Sequence, residues 1–309
     1  MAFHFKKKES VRKAIRRIGS ERIEDALDCL KDCHRADAVH CARKDIKKVR
    51  AVLQLVRASL RKKEFARLKK LLREPARRLG SPRDAYVQAK TLTKLKHEFK
   101  GQLAPGALRH IRLETRKRLD KELKRFTKEK AVKVIARGLR RSTRQLGDIK
   151  VRDEEWKAIG PGFKAAYARG MAAYQKVLKD SSPENFHGWR KRVKELWYQV
   201  TLLSQVWPEQ IEAMAGELEM LGEHLGDDHD LSMLQSAANE KCAQENHSHE
   251  LETLNGLIQE RQRELRAAAF AIGERFYVEK PADFCRRLAG YWKIWRREKK
   301  PATFPGATL

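Results

Sequence analysis

Apolar residues recur along this chain at three- and four-residue intervals, the spacing that lines one face of an α-helix. Val11, Ile15, Ile18, Ile23, Leu27 and Leu30 predict a helix over residues 8–34, with a bend at Gly19-Ser20. Val39, Ile46, Val49, Val52, Leu53 and Val56 predict a second, capped by Asp37 and running to about Arg61. A basic helix with Phe65, Leu68, Leu71 and Leu72 follows and ends before Gly80-Ser81-Pro82. Pro82 suits a first helical turn, so the next helix starts there, holds Arg83-Asp84 in that turn, and stops near Gly101. Pro105-Gly106 opens a helix carrying Leu108, Ile111, Leu119, Leu123 and Phe126, and another basic helix spans about Glu129 to Leu146.

Gly147 to Gly162, with its Gly160-Pro161-Gly162 turn, reads as a boundary. Helices then resume over 163–178, from a Ser182 cap and Pro183 to Trp207, and from Pro208 to a stop at Gly226. Two long helices reach about His247 and run from His249 to Tyr277, and Pro281–Lys300 forms a last amphipathic one. No alternating strand pattern occurs. The expected fold class is all-α, as two pseudo-twofold-related four-helix-type bundles around a basic central groove. Residues 1–150 form the first half, 151–162 a linker, 163–300 the second half and 301–309 a disordered tail.

The second of these helices is written twice. VHCARKDIKKVRAVLQL at Val39 to Leu55 returns as FHGWRKRVKELWYQVTL at Phe186 to Leu202, offset by 147 residues without a gap. At about 100° per residue, His40, Arg43, Lys44 and Lys47 share one sector with Arg50 at its margin, opposite the apolar stripe. His187, Arg190, Lys191 and Lys194 take the same places. Amphipathicity alone would reproduce the stripe but not the order of histidine and cations, so the pair marks an internal duplication. A second correspondence supports it: LGSPRDAYV at Leu79 and LGDDHDLSM at Leu225 stand 146 residues apart.

Charge adds direction. The 309 residues carry 69 Lys+Arg against 41 Asp+Glu, a net +28, which points to a polyanionic partner. Residues 1–150 hold 46 of the basic and 17 of the acidic residues, so the first half supplies the whole excess. The five cysteines, an odd number widely spread, suggest no disulfide framework and a reducing cytoplasm. Without a signal-peptide core or a run of about 20 apolar residues, a soluble intracellular protein with no transmembrane segment is expected.

Histidine with Arg and Lys at the third, fourth and seventh following positions places several donors on one strip. Two such strips face to face would bind anions, since no nucleophile or positioned base accompanies them. The paired His-x-x-Arg-Lys-x-x-Lys helices, each followed some forty residues on by Leu-Gly-x-x-[Arg/His]-Asp, resemble the CHAD domain, the conserved-histidine α-helical domain. The resemblance covers roughly residues 8–297 and implies a stand-alone domain, without the N-terminal CYTH domain that makes many relatives enzymes. CHAD domains are helical binders of inorganic polyphosphate. Carried over by position, this implicates His40, Arg43, Lys44, Lys47, Arg50, Arg83, His187, Arg190, Lys191, Lys194 and His229 in polyphosphate binding. No catalytic residue, metal or cofactor is implied. Trp197 stands where the first copy has Arg50, and Glu195 where it has Lys48, so the second half should contribute less charge.

Other readings stay open at this level. The histidine helices could be ordinary solvated basic faces, and each histidine could fix bundle geometry. Asp84 and Asp230 could cap helices or orient a cation of the histidine helices. Nucleic acid is the alternative nonspecific partner, and a metal-dependent phosphate enzyme would need His224 and Asp227 to Asp230 as its ligand cluster. Cys29 and Cys33 could begin a zinc site or pack in the core, and the aromatic C-terminal helix could pack on the bundle or dock on a membrane or on polyphosphate or storage granules.

Overall fold

The computed structural model describes residues 3–32, 34–103, 106, 108–128, 131–242 and 248–298, so the expected tail at 301–309 and Cys33 lie outside the described residues. The described residues form helices and no strands. In the first half α1 spans Val11–Cys29, α2 Ala36–Leu55, α3 Lys62–Arg78, α4 Gly80–Glu98, α5 Arg109–Lys128 and α6 Ala131–Gly147. In the second, α7 spans Glu155–Lys179, α8 Pro183–Thr201, α9 Pro208–Cys242, α10 Ser248–Phe276 and α11 Pro281–Arg297. The 146-residue offset maps α3 and α4 together onto the single helix α9. The expected stop at Gly226 is therefore absent. Pro82 explains the difference: lacking an N–H, it cannot bond the carbonyl of Arg78, and α3 ends there. The corresponding residue, Asp228, leaves α9 unbroken.

Two glycines expected to bend or break the chain, Gly19 and Gly162, instead let helices approach. α1 runs straight through Gly19, where a β-carbon would press on Leu146 of α6. Gly160-Pro161-Gly162, expected in the linker, lies inside α7, and a β-carbon on Gly162 would overlap the Leu55 carbonyl of α2. Asp37 does not cap α2 either; it sits in the first turn and accepts from Arg35 at 2.7 Å.

Two apolar cores form, and neither belongs to one half. The larger joins α1, α2, α3, α6, α7, α8, α11, the first part of α9 and the end of α10. The smaller joins α4 and α5 to the later part of α9 and the start of α10. Where the halves meet, α2 packs on α8 and α4 on α9, tied by Gln199 Nε2 donating to the Ala51 carbonyl at 3.2 Å and Gln88 Nε2 to the Met233 carbonyl at 3.1 Å. In α11, Trp292 and Trp295 are buried, and Trp292 Nε1 donates to Glu155 at 2.9 Å, so these aromatics are core residues rather than a docking face. Cys29 at the end of α1 pairs with Cys41 of α2 as a disulfide, Cα atoms 6.2 Å apart, against the expectation of unpaired thiols. Among the described residues no helix is long and apolar enough to cross a membrane.

Candidate functional site

The packing of α2 on α8 and α4 on α9 leaves a cleft of about 540 Å³ between those four helices. His40, Arg43, Lys44 and Lys47 enter it from α2, Arg83 from α4, and Arg190 and Lys194 from α8. A second cavity of about 320 Å³ adjoins it and shares Lys47, Arg190, Lys194 and Tyr198 as lining. Arg50 and Lys191 belong to this second cavity, with Lys69 of α3 and Arg192. The eight Lys and Arg of the first cavity face five carboxylates, whereas the seven of the second face Glu195 alone. The second cavity is thus the more cationic of the two. His187 and His229 line neither; their rings stack on each other with centroids 4.0 Å apart.

Several lining residues escaped the sequence reading. Lys90 and Lys94 follow Arg83 at helical spacing on α4, and Tyr86 sits near His40 with ring centroids 6.5 Å apart. That spacing was a usable signal once α4 was read as continuous with its motif. Glu219, Glu223, Asp227 and Asp230 recur on one side of α9 and make the opposite wall. Trp197, in the place of Arg50, supports Lys194 by a cation–π contact of 4.4 Å, and Gly222 leaves room for the Lys194 stem.

The acidic motif on α9 is divided among cations. Asp227 pairs with Lys94 at 2.5 Å, Asp228 with Arg266 at 2.7 Å, and Asp230 Oδ1 lies 3.5 Å from Arg83 Nη2. Asp84 also pairs with Arg83, at 3.1 Å, so both motif aspartates hold Arg83 rather than a cation of the histidine helices. Three carboxylates committed to three different cations do not form a shared metal cage.

The cations crowd one another. Burial, reinforced by Arg190, Arg43 and Arg83, brings Lys47 down to about 7, while Asp230 partly offsets the effect. Burial likewise lowers Arg43, Arg190 and Lys194 from their ordinary values. Burial and neighbouring cations hold His40 and His187 at about 4 and His229 at about 3. Arg43 Nη1 donates to the Ala76 carbonyl at 2.6 Å, yet Arg43 Nε and Arg190 Nε are buried without hydrogen-bond partners, as is His187 Nδ1. An uncompensated buried donor is costly, and an anion in the cleft would give the two guanidinium groups a partner and relieve the repulsion.

The CHAD domain profile matches residues 10–239, and the chain belongs to the CHAD domain family. No curated protein matches it in sequence. Among solved structures it is similar to the CHAD domain from the plant Ricinus communis, with a TM-score of 0.64 at 14% identity over 90% of this chain and 94% of that one. It is also similar to PptA from Streptomyces chartreusis, with a TM-score of 0.61 at 15% identity over 84% and 98% of the two chains. At such identities these likenesses establish the fold.

Proposed function

We propose that the protein binds inorganic polyphosphate without chemically transforming it, in the paired cavities between α2 and α8. The observation that carries the reading is the shared wall: Lys47, Arg190 and Lys194 line both cavities, and burial with mutual repulsion lowers all three from their ordinary values. A flexible chain of phosphates carries regularly spaced charge and no bases. It could run from one cavity into the other, and Arg43 and Arg190 would offer guanidinium forks to its oxygens. The family membership supports the same ligand through the resemblance drawn from the two histidine helices.

Nucleic acid is the weaker reading. The first half has few exposed aromatics beside its cations, and sequence-tolerant single-strand binding leans on such stacking platforms. The commitment of Asp227, Asp228 and Asp230 to separate cations supports a binding role over metal-assisted hydrolysis. Sequestration in the cytoplasm or docking on polyphosphate or storage granules would both use this groove.

The test is calorimetric titration with polyphosphate of defined length and with a double-stranded oligonucleotide at the same ionic strength. Wild type should favour polyphosphate, and Arg43→Ala/Arg190→Ala should bind it about ten- to a hundredfold more weakly, because two charge-assisted contacts vanish from a shared set. Equal affinity for both polymers, unchanged in the double variant, would sink the proposal.

A further inference from the structure

The groove is not the only place where cations lack partners. Helix α6 carries Lys133, Arg137, Arg140, Arg141 and Arg144 and no acidic residue. All five are exposed, and none has an acidic partner among the described residues. Its counterpart in the second half is mostly paired: on α11, Arg286 pairs with Asp283 at 2.9 Å, Arg287 with Glu279 at 2.5 Å and Arg296 with Glu155 at 2.8 Å. The duplication thus supplies its own comparison: the second-half helix pairs three of its five cations and leaves Lys293 and Arg297 open, whereas the first-half helix leaves all five open.

That face connects to the groove through α3. Helix α3 packs against α2 on one side and α6 on the other, with Pro75 seated against Gly138 of α6. From α3, Lys69 lines the second cavity, and exposed Arg73 stands one turn further along. Neither Lys69 nor Arg73 has an acidic partner among the described residues. The cationic surface therefore continues from Arg50 and Lys69 outward across α3 to α6.

We propose that the outer faces of α3 and α6 bind the part of a long polyphosphate chain that leaves the groove past Arg50 and Lys69. The proposal rests on the groove reading and extends it to a length dependence, since a chain engaging both places gains avidity that a short chain cannot. Charge complementarity and continuity with the groove select this occupant. Helix α6 has no aromatic residue, and Phe65, the aromatic of α3, is buried, so a nucleobase finds no stacking platform. Both helices turn their apolar stripes into the core, which leaves little for a membrane to bury.

The experiment compares chains of about 15 and about 100 phosphates on the full-length protein across a salt series. Arg137→Glu/Arg141→Glu/Arg144→Glu should lower affinity for the long chain about tenfold or more, flatten its salt dependence, and leave the short chain unchanged. The neutral variant Arg137→Gln/Arg141→Gln/Arg144→Gln should give a smaller loss in the same direction, and thermal unfolding of both variants should match wild type. Long-chain binding unaffected by either variant, with short chains still lost in Arg43→Ala/Arg190→Ala, would overturn the outer face and leave the groove standing. Absence of short-chain binding in wild type would overturn the groove itself. Duplex DNA that binds through Arg137, Arg141 and Arg144 and resists displacement by long polyphosphate would assign the face to nucleic acid and overturn the proposal.

Discussion

Gly162→Ala is expected to destabilise the protein by about 3 kcal/mol, measured as the loss of unfolding free energy in urea. Replacing glycine by alanine inside a helix ordinarily stabilises by about 1 kcal/mol, because alanine loses less backbone entropy. At Gly162 the sign reverses. The new β-carbon would fall on the Leu55 backbone carbonyl, at the end of α2, so no side chain can rotate to make room. The two helices must separate along a contact that Ile159, Phe163 and Leu55 otherwise fill as fully buried core. Gly188→Ala in α8 is the matched control: nothing lies within 4 Å of its added β-carbon, so the ordinary gain should appear there. A Gly162→Ala protein as stable as Gly188→Ala would mean that α7 does not cross α2 at this distance. The variant should also weaken polyphosphate binding, because Arg50 and Lys47 sit about one and two turns back along the displaced end of α2.

That glycine also shows what a sequence conveals and what it reveals. Gly160-Pro161-Gly162 has the composition of a turn, yet its glycines serve close approach to Trp156 and Leu55. A glycine that opens a turn and one that admits a neighbouring helix look alike until the neighbour is placed. The same ambiguity made Gly226 read as a stop, although only the first copy has a proline three residues after its leucine to interrupt the ladder. The histidine helices were legible for the opposite reason. Each repeats a full pattern of apolar and cationic positions, and burying the apolar stripe leaves the cations no other side to face. Arg43, Lys47, Arg190 and Lys194 line the cleft between the helices. The pattern could not place Arg50 and Lys191, which turn into the second cavity, nor His187 and His229, which stack on one another. Which side of a helix faces a groove depends on the crossing of α2 with α8, and no local pattern encodes a crossing. Of the acidic wall of α9, Asp227 and Asp230 stood out in the sequence as ligand or capping candidates, but Glu219 and Glu223 did not, because nothing local brings Lys194 against them.

Polyphosphate affinity is expected to fall about fiftyfold from pH 7 to pH 9, and Lys47 is the cause. In the free protein burial and neighbouring guanidinium groups hold Lys47 at about 7, so at pH 8 it is mostly neutral. Phosphate oxygens in the cleft favour the charged ammonium and raise its pKa toward the ordinary lysine value of about 10.4. Binding in this interval therefore takes up a proton. Affinity is greatest below the free value of about 7 and falls by up to tenfold for each pH unit between the free and bound values. The ligand adds little to this slope, because only terminal phosphates titrate near neutrality. His40, held at about 4 in the free cleft, would add a second increase in affinity below pH 6 if phosphate reaches its ring. Calorimetry at pH 8 in two buffers of different ionisation enthalpy should report uptake of about one proton. Lys47→Arg separates the cause from a general loss of charge, since a guanidinium stays protonated throughout this range. It should bind about as tightly as wild type at pH 7 and lose most of the slope up to pH 9. A wild-type affinity flat between pH 7 and 9, with no proton taken up, would place the phosphates away from Lys47 and move the binding site out of the shared wall of the two cavities.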